Sequence, residues 1–249
     1  MIKKTIIIVP IYNESKRFEP NAFMNFCEQT PHVHFLFVDD ASMDDSTAKI
    51  QRLMSQNPKF FSLLELPCNM GKAEAVRNGM LKAFQSQPDF IGFWDADLST
   101  PLNEIPRFLD ILNNDPAVHL VTGARIRLLG RDIQRNHLRH YVGRISATLI
   151  SLVLGIHSYD TQCGAKIFRT TKTVQSLFYV PFKSKWIFDV EILARLLTCA
   201  RTDANYHPGR CVYEIPLLQW IDKPGSKVKG KDYLHALHDL LEIRRGLQQ

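Results

Sequence analysis

No CxxC pair occurs, and the five cysteines present, Cys27, Cys68, Cys163, Cys199 and Cys211, are scattered and odd in number. That pattern excludes a cysteine-held zinc site and a disulfide framework, and it fits a reducing, cytoplasmic setting. No apolar run reaches the roughly 18 residues of a membrane span. The longest nearly uncharged one, ISATLISLVLGI at 145–156, falls short. The start, MIKKTIIIVP, is charged, but its apolar stretch breaks at Pro10 before it reaches the length of a signal-peptide core. No transmembrane segment is therefore expected. Low-complexity tracts, internal repeats and a recognisable linker are also missing. The 249 residues are accordingly read as one domain, 1–249, with a substantial core.

What is there begins with charge. The net charge is +6, and the excess is local: Arg125, Arg127, Arg131, Arg135, Arg139 and Arg144 fall close together. Such a patch calls for an anionic partner. Arg131, Arg135 and Arg139 recur at four-residue spacing and would share one face if 130–141 were helical, with His137, His140 and Arg144 beside them. The apolar run 145–156 follows directly. Together they are read as a segment able to lie on anionic lipid headgroups, against the plainer reading of a solvated face beside a core helix.

Through the first half, short apolar runs (TIIIVPIY, FLFVDD, FSLLEL, FIGFWDAD, HLVTGAR) alternate with segments of helical period, such as Val76, Met80, Ala83 and Phe84. Strands apolar throughout, separated by helices, predict an α/β fold with a mostly parallel, Rossmann-like central sheet flanked by helices. Ligands of such sheets bind beyond the carboxyl ends of the strands. The second half is less regular: a helix over about 137–154, a strand at AKIFRT, a helix near 187–200, a strand at CVYEIP, a loop WIDKPGSKVKGKD, and a closing helix bearing Leu234, Leu237 and Leu241.

Three strand ends carry polar residues: VPIYNE at 9–14, VDDAS at 38–42 and WDADLS at 94–99. Asp95 and Asp97 emerge from a run that reads as buried, point the same way in an extended segment and repel each other. A hard divalent cation, Mg²⁺ or Mn²⁺, would hold them, sharing its shell with substrate phosphates. Asp39 and Asp40 precede a helix that Ser42, Asp44 or Asp45 could cap, and carboxylates there suit ribose hydroxyls or a base edge. NMGKAEAVRNG at 69–79 is not a Walker loop, but its Gly71 turn and Lys72 stand at a helix start that favours phosphate.

Taken in order, VPIYNE, VDDASMDDST, NMGKAEAVRNG, DADLSTP, GAR, DTQCGAKIF and KWIFDVEIL resemble family 2 glycosyltransferases of the GT-A fold, over about residues 5–230. The similar subgroup is the polyprenyl-phosphate (dolichyl-phosphate) sugar transferases, particularly the glucosyl type. The resemblance implies a nucleotide-sugar half at 5–125, an acceptor-side half at 126–230 and a C-terminal helix at 231–249. It implies Pro10, Tyr12, Glu14, Asp39 and Asp40 in the nucleoside pocket, Lys72 and Ala96 among the donor contacts, and Asp95 and Asp97 on a divalent metal. Asp160 and Asp189 are the implied catalytic acids, although a phosphate acceptor already carries a nucleophilic oxygen. Arg125, Arg131, Lys223 and Lys227 supply cations, the last two from a loop that closes on donor phosphates. Mannosyl relatives often carry Gln where this chain has Ser99, which puts a third metal contact there in doubt.

The expectation is an inverting, metal-dependent transfer of one hexose from a nucleoside-diphosphate sugar to polyprenyl phosphate. UDP-glucose is favoured over GDP-mannose, and peripheral contact with an anionic membrane is included. Nucleic acid is not an expected partner. The QxxRW element of processive synthases is absent. Rivals are a family 2 enzyme with a non-lipid acceptor, a nucleotidyltransferase, whose glycine-rich signature VPIYNESKR lacks, and a non-catalytic membrane- or partner-binding module.

Overall fold

A computed structural model describes residues 3–134, 143, 147–153, 155, 158–202, 209–223 and 238–245. The first half alternates as read: β1 (Thr5–Ile11), α1 (Pro20–Gln29), β2 (Val33–Asp39), α2 (Ser46–Gln56), β3 (Phe61–Glu65), α3 (Lys72–Phe84) and β4 (Phe90–Trp94). There follow α4 (Ile105–Asn114), β5 (Leu120–Ala124), β6 (Asp132–Gln134), α5 (147–153), β7 (Ala165–Arg169), α6 (Lys172–Ser176), α7 (Phe188–Thr202), β8 (Val212–Pro216), β9 (Gln219–Ile221) and α8 (238–245).

Seven strands form one sheet in the order β3-β2-β1-β4-β7-β5-β8. Successive side chains point to opposite faces, so each apolar strand feeds two cores. Ile7, Val9, Phe35, Phe37 and Trp94 pack under α1, α2 and α4; Ile6, Ile8, Leu36, Val38 and Phe93 pack under α3 and α7. Burial on both faces is why these strands are apolar without alternation. On the first face Phe23 meets Phe35 and Phe37 edge-on, with ring centroids 5.0 and 5.3 Å apart. Each such ring contributes roughly 1.5–3 kcal/mol by leaving water. A third cluster joins Ile150 of α5, Ile187, Val190 and Ala194 around α7, and Leu240 and Ile243 of α8.

β1 pairs with β2 and with β4, and β2 with β3, all parallel. Chain order reverses at β1, so a crevice opens at the carboxyl ends of β1 and β4. β7 breaks the pattern: it runs antiparallel to β4 and to β5, with Trp94 opposite Ala165. The segment before β7, the end of β5 and the end of β4 therefore share one edge.

Two expectations for the second half are corrected. Residues 130–141 do not begin a helix, because 132–134 form β6, paired in parallel with β9 over Asp132↔Gln219, Ile133↔Trp220 and Gln134↔Ile221. The polar-apolar-polar alternation buries Ile133 against Trp220, and a helix would not. The loop expected from Trp220 thus starts only after Ile221. In α8 the buried residues are Leu240 and Ile243, whereas Leu241 is half exposed. Arg135, Arg139, His137, His140, Arg144, Lys227, Leu234 and Leu237 lie outside the described residues.

Candidate active site

Three loops meet at the crevice, and each carries one non-glycine residue at positive φ: Asn13 (51°) after β1, Ala41 (58°) after β2 and Leu98 (53°) after β4. Such conformations persist only where surroundings enforce them, and they cluster at functional sites. Here the enforcement is a set of hydrogen bonds between loops. Asn13 N–H donates to Ser42 Oγ at 3.0 Å, Met43 N–H to Asn13 Oδ1 at 2.8 Å, and Glu14 N–H to Ser46 Oγ at 2.9 Å. Asp44 accepts from Ser15 N–H and from Ser46 Oγ. Burial is the largest single influence and raises the carboxyl pKa, but the bonds donated by Ser46 and Ser15 together outweigh it and bring it down to about 2.

Asp39 and Asp40 are both buried. Asp39 accepts from Thr47 Oγ1 at 2.8 Å and from Ser42 N–H at 3.3 Å. Asp40 accepts from Met70 N–H on Oδ1 at 2.7 Å and from Gly71 N–H on Oδ2 at 2.8 Å. It thereby fixes the turn that starts α3, where Gly71 at φ 88° takes a conformation costly for other residues. Asp40, expected to line the nucleoside pocket, also holds the loop that carries Lys72.

Lys72 Nζ reaches Asp95 Oδ1 at 2.5 Å. Desolvation alone would pull the ammonium pKa down; the charges of Asp95, Asp189 and Asp97 outweigh it, so the pKa stands above the ordinary lysine value. Asp97 accepts from Ser99 N–H at 3.0 Å and lies 4.0 Å from Nη1 of Arg17, whose Nε and Nη2 donate to the two carboxylate oxygens of Glu14. Each acid of the DAD motif thus faces one cation of the chain. Trp94 Nε1 donates to Thr100 O at 2.8 Å and pins the loop that holds them. Ala96, between the acids, is buried, while Pro10 and Tyr12 at the end of β1 are partly exposed.

The segment before β7 closes the edge. Asp95 N–H donates to Gly164 O at 3.1 Å, and a Cβ on Gly164 would overlap the Asp95 carboxylate. Asp160 is buried and takes Arg125 Nε at 2.6 Å, Nη2 at 2.7 Å and the Arg125 backbone N–H at 3.1 Å. Burial would lower the guanidinium pKa, but Asp160 raises it well beyond the ordinary value. Burial also pushes the neighbouring Cys163 thiol up to about 11, so it stays neutral.

Asp189, at the start of α7, accepts from Lys166 Nζ at 2.7 Å; the same ammonium donates to Cys163 O at 2.6 Å and Thr161 O at 3.2 Å. Lys166 is fully buried, its three N–H donors matched by three acceptors. Lys223 lies 3.8 Å from Glu19, in a groove with Phe26, Leu98 of the loop after β4, and Leu102. Arg131 is partly exposed and precedes β6.

Four participants escaped the sequence reading: Arg17, Lys166, Glu214 and Trp220, over whose ring Arg125 lies at 5.4 Å. The signals existed. Lys166 in AKIF and Glu214 in VYEIP are lone charges inside strands, which demand partners.

Among the described residues, no group of three or more His, Cys, Asp or Glu side chains is placed to hold a metal ion. Two hard carboxylates on one short loop, already drawing a cation of the chain, fit a Mg²⁺ or Mn²⁺ ion that takes few protein ligands.

Fold and site together define a glycosyltransferase of the GT-A fold. The chain belongs to glycosyl transferase family 2, whose model matches residues 6–174. It is similar to a dolichyl-phosphate beta-glucosyltransferase of Trichomonas vaginalis, 29% identical over 96% of this chain and 70% of that protein. A polyprenol monophosphomannose synthase of Mycolicibacterium smegmatis is 23% identical over 96% of this chain and 86% of that one. Among solved structures, glucosyl-3-phosphoglycerate synthase of Mycobacterium tuberculosis, in complex with Mn²⁺ and UDP-glucose, superposes with a TM-score of 0.65 at 15% identity, covering 97% of this chain and 79% of that one.

Proposed function

We propose that this enzyme transfers one hexose from a nucleoside-diphosphate sugar, UDP-glucose before GDP-mannose, to polyprenyl phosphate with inversion at C1. The observation that carries the reading is the pair Asp95 and Asp97, each faced by a cation of the chain, at the carboxyl edge of β4 in a family 2 enzyme. The kinship with lipid-phosphate sugar transferases supports the acceptor.

Asp95 and Asp97 would hold Mg²⁺ or Mn²⁺, which when bound stabilises the departing nucleoside diphosphate. Lys72 and Arg17 stand beside these acids and supply further positive charge to the donor diphosphate. Asp39 and the end of β1, with Pro10, Tyr12 and Glu14, form the nucleoside side of the crevice. An oxygen of the acceptor phosphate attacks C1 as the bond from C1 to the donor phosphate oxygen breaks, and the electron pair leaves with the nucleoside diphosphate. The attacking oxygen is already anionic, so no group need remove a proton from it. Arg125 meets that phosphate, and Asp160 serves by holding Arg125. Asp189 sets the potential around Lys72 from its pair with Lys166.

Peripheral contact with an anionic membrane is part of the proposal. The loop after Arg125 exposes Leu128 and Leu129 between Arg127 and Arg131, and α5 exposes Leu149 and Leu152. Apolar side chains flanked by cations suit a headgroup boundary. Among the described residues, no helix is long and apolar enough to cross a membrane.

The test is incubation with labelled UDP-glucose or GDP-mannose, with and without polyprenyl phosphate and Mn²⁺, following label into the organic phase. Transfer that requires both lipid and cation is expected. Label that stays aqueous with both donors, or transfer indifferent to chelation, would end this reading.

A further inference from the structure

Glu214 is an acid in the middle of β8, opposite Thr122 of β5. Its side chain gathers three donors from one short segment: Asp160 N–H at 2.5 Å and Ser158 Oγ at 3.2 Å on Oε1, and Tyr159 N–H at 2.7 Å on Oε2. A partly buried carboxylate needs such donors to offset the loss of water, and charge-assisted bonds to backbone N–H groups are strong and directional. The segment they fix, 158–160, has no regular structure of its own, so its path depends on Glu214.

That segment ends in Asp160, whose carboxylate takes Arg125 in a two-bond fork and also binds the Arg125 backbone N–H. The fork fixes the plane of the guanidinium, and the Trp220 ring supports it from one side. Two of the five guanidinium N–H groups go to Asp160; the other edge has no hydrogen-bond partner among the described residues. Arg125 lies near enough to Asp95 to feel its charge. The chain of contacts thus runs from β8 through a loop to a guanidinium edge beside the DAD motif.

We propose that Glu214 is a positioning residue of the transfer reaction: by fixing 158–160 it sets Asp160, and through Asp160 it presents the open edge of Arg125 to the acceptor phosphate. This rests on the assignment of Arg125 to that phosphate. Glu214 itself touches no substrate. It decides how well a second anion is received in a site where Lys72 and Arg17 serve the donor diphosphate.

The test is binding, so that it does not depend on turnover. Polyprenyl phosphate in detergent micelles, and separately UDP with Mn²⁺, are titrated calorimetrically into the parent protein and into Glu214→Gln, Arg125→Ala and the double variant. Glutamine keeps the shape but offers one acceptor oxygen where two are used. Glu214→Gln is expected to weaken polyprenyl phosphate about tenfold while UDP shifts less than about twofold, and to add less than about twofold on the Arg125→Ala background. Ser158→Ala, which removes one of the three donors and leaves the strand untouched, should shift the lipid phosphate in the same direction by less; it decides the matter if Glu214→Gln fails to fold. Losses in the double variant that multiply in full, or equal weakening of both ligands, overturn the positioning role alone. A parent protein that does not bind polyprenyl phosphate, or an Arg125→Ala variant that binds it unchanged, overturns the acceptor assignment and this inference with it.

Discussion

Lys72 Nζ stands 2.5 Å from Asp95 Oδ1, where a lysine from the start of α3 meets an acid from the end of β4. The pair spans two strand ends and places the ammonium where a metal ion would be drawn. Lys72→Met should therefore do two opposite things. Without nucleotide, Mn²⁺ should bind more tightly by up to about fivefold, the equivalent of a partly exposed ion pair of up to about 1 kcal/mol removed from competition. With donor present, kcat/KM should fall about tenfold or more, since a cation for the diphosphate is lost. Paramagnetic resonance of free Mn²⁺ and steady-state kinetics check the two arms.

Asp95→Asn and Asp97→Asn should each lower kcat by about a hundredfold or more, a loss typical of removing one electrostatic contact to developing charge. Neither should lower the melting temperature appreciably, because relief of repulsion between the neighbouring carboxylates offsets the partly exposed ion pair that each change removes. Activity assays over a Mn²⁺ series, beside thermal melts, separate lost function from lost fold.

Gly164→Ala tests the antiparallel edge. The added methyl would overlap the Asp95 carboxylate, so either Asp95 or the start of β7 must move. The expected cost is about 1–3 kcal/mol in urea unfolding, with Mn²⁺ binding weakened in parallel. Unchanged Mn²⁺ binding would mean that Asp95 is free to step aside.

Lys166→Met leaves Asp189 buried without its partner and should destabilise by about 3–5 kcal/mol. Lys166→Met combined with Asp189→Leu should recover much of that, because no charge is then stranded. Denaturant midpoints of the three variants give the answer. A double variant as unstable as Lys166→Met would point to the carbonyls of Thr161 and Cys163 as the groups that suffer.

The imidazole of His34 has its pKa lowered, first by burial, although a bond to the Lys59 carbonyl opposes this; Ser62 Oγ lies 2.8 Å from its other nitrogen. A group with a depressed folded pKa leaves the unfolded chain holding more protons, so stability is complete above the ordinary value of 6.5 and falls as the pH drops below it. Urea midpoints between neutral and mildly acidic pH should decline accordingly, and His34→Gln should flatten that part of the profile.

Much of this was legible in the chain itself. Runs such as TIIIVPI and FIGFW are apolar at every position because both faces of the sheet are covered, and that pattern reads directly as parallel β/α structure. The acids at their ends, Asp39, Asp95 and Asp97, stand out because a polar residue after a buried run must face something. Less was legible at β6 and β9, three residues each, too short for any periodicity to be distinguished from a helix start. Arg17 was hidden because its meaning depends on Asp97, far along the chain.

The order of residues alone determined where strands end and which acids stand there, since burial and period are local properties of composition. Which cation meets which acid was decided only in three dimensions. One antiparallel strand, β7, turns its beginning toward the end of β4, and so brings Gly164 against Asp95 and Asp160 to Arg125. Strand direction follows from chain connectivity and from how the whole sheet covers its two faces, and no local stretch of sequence carries that information.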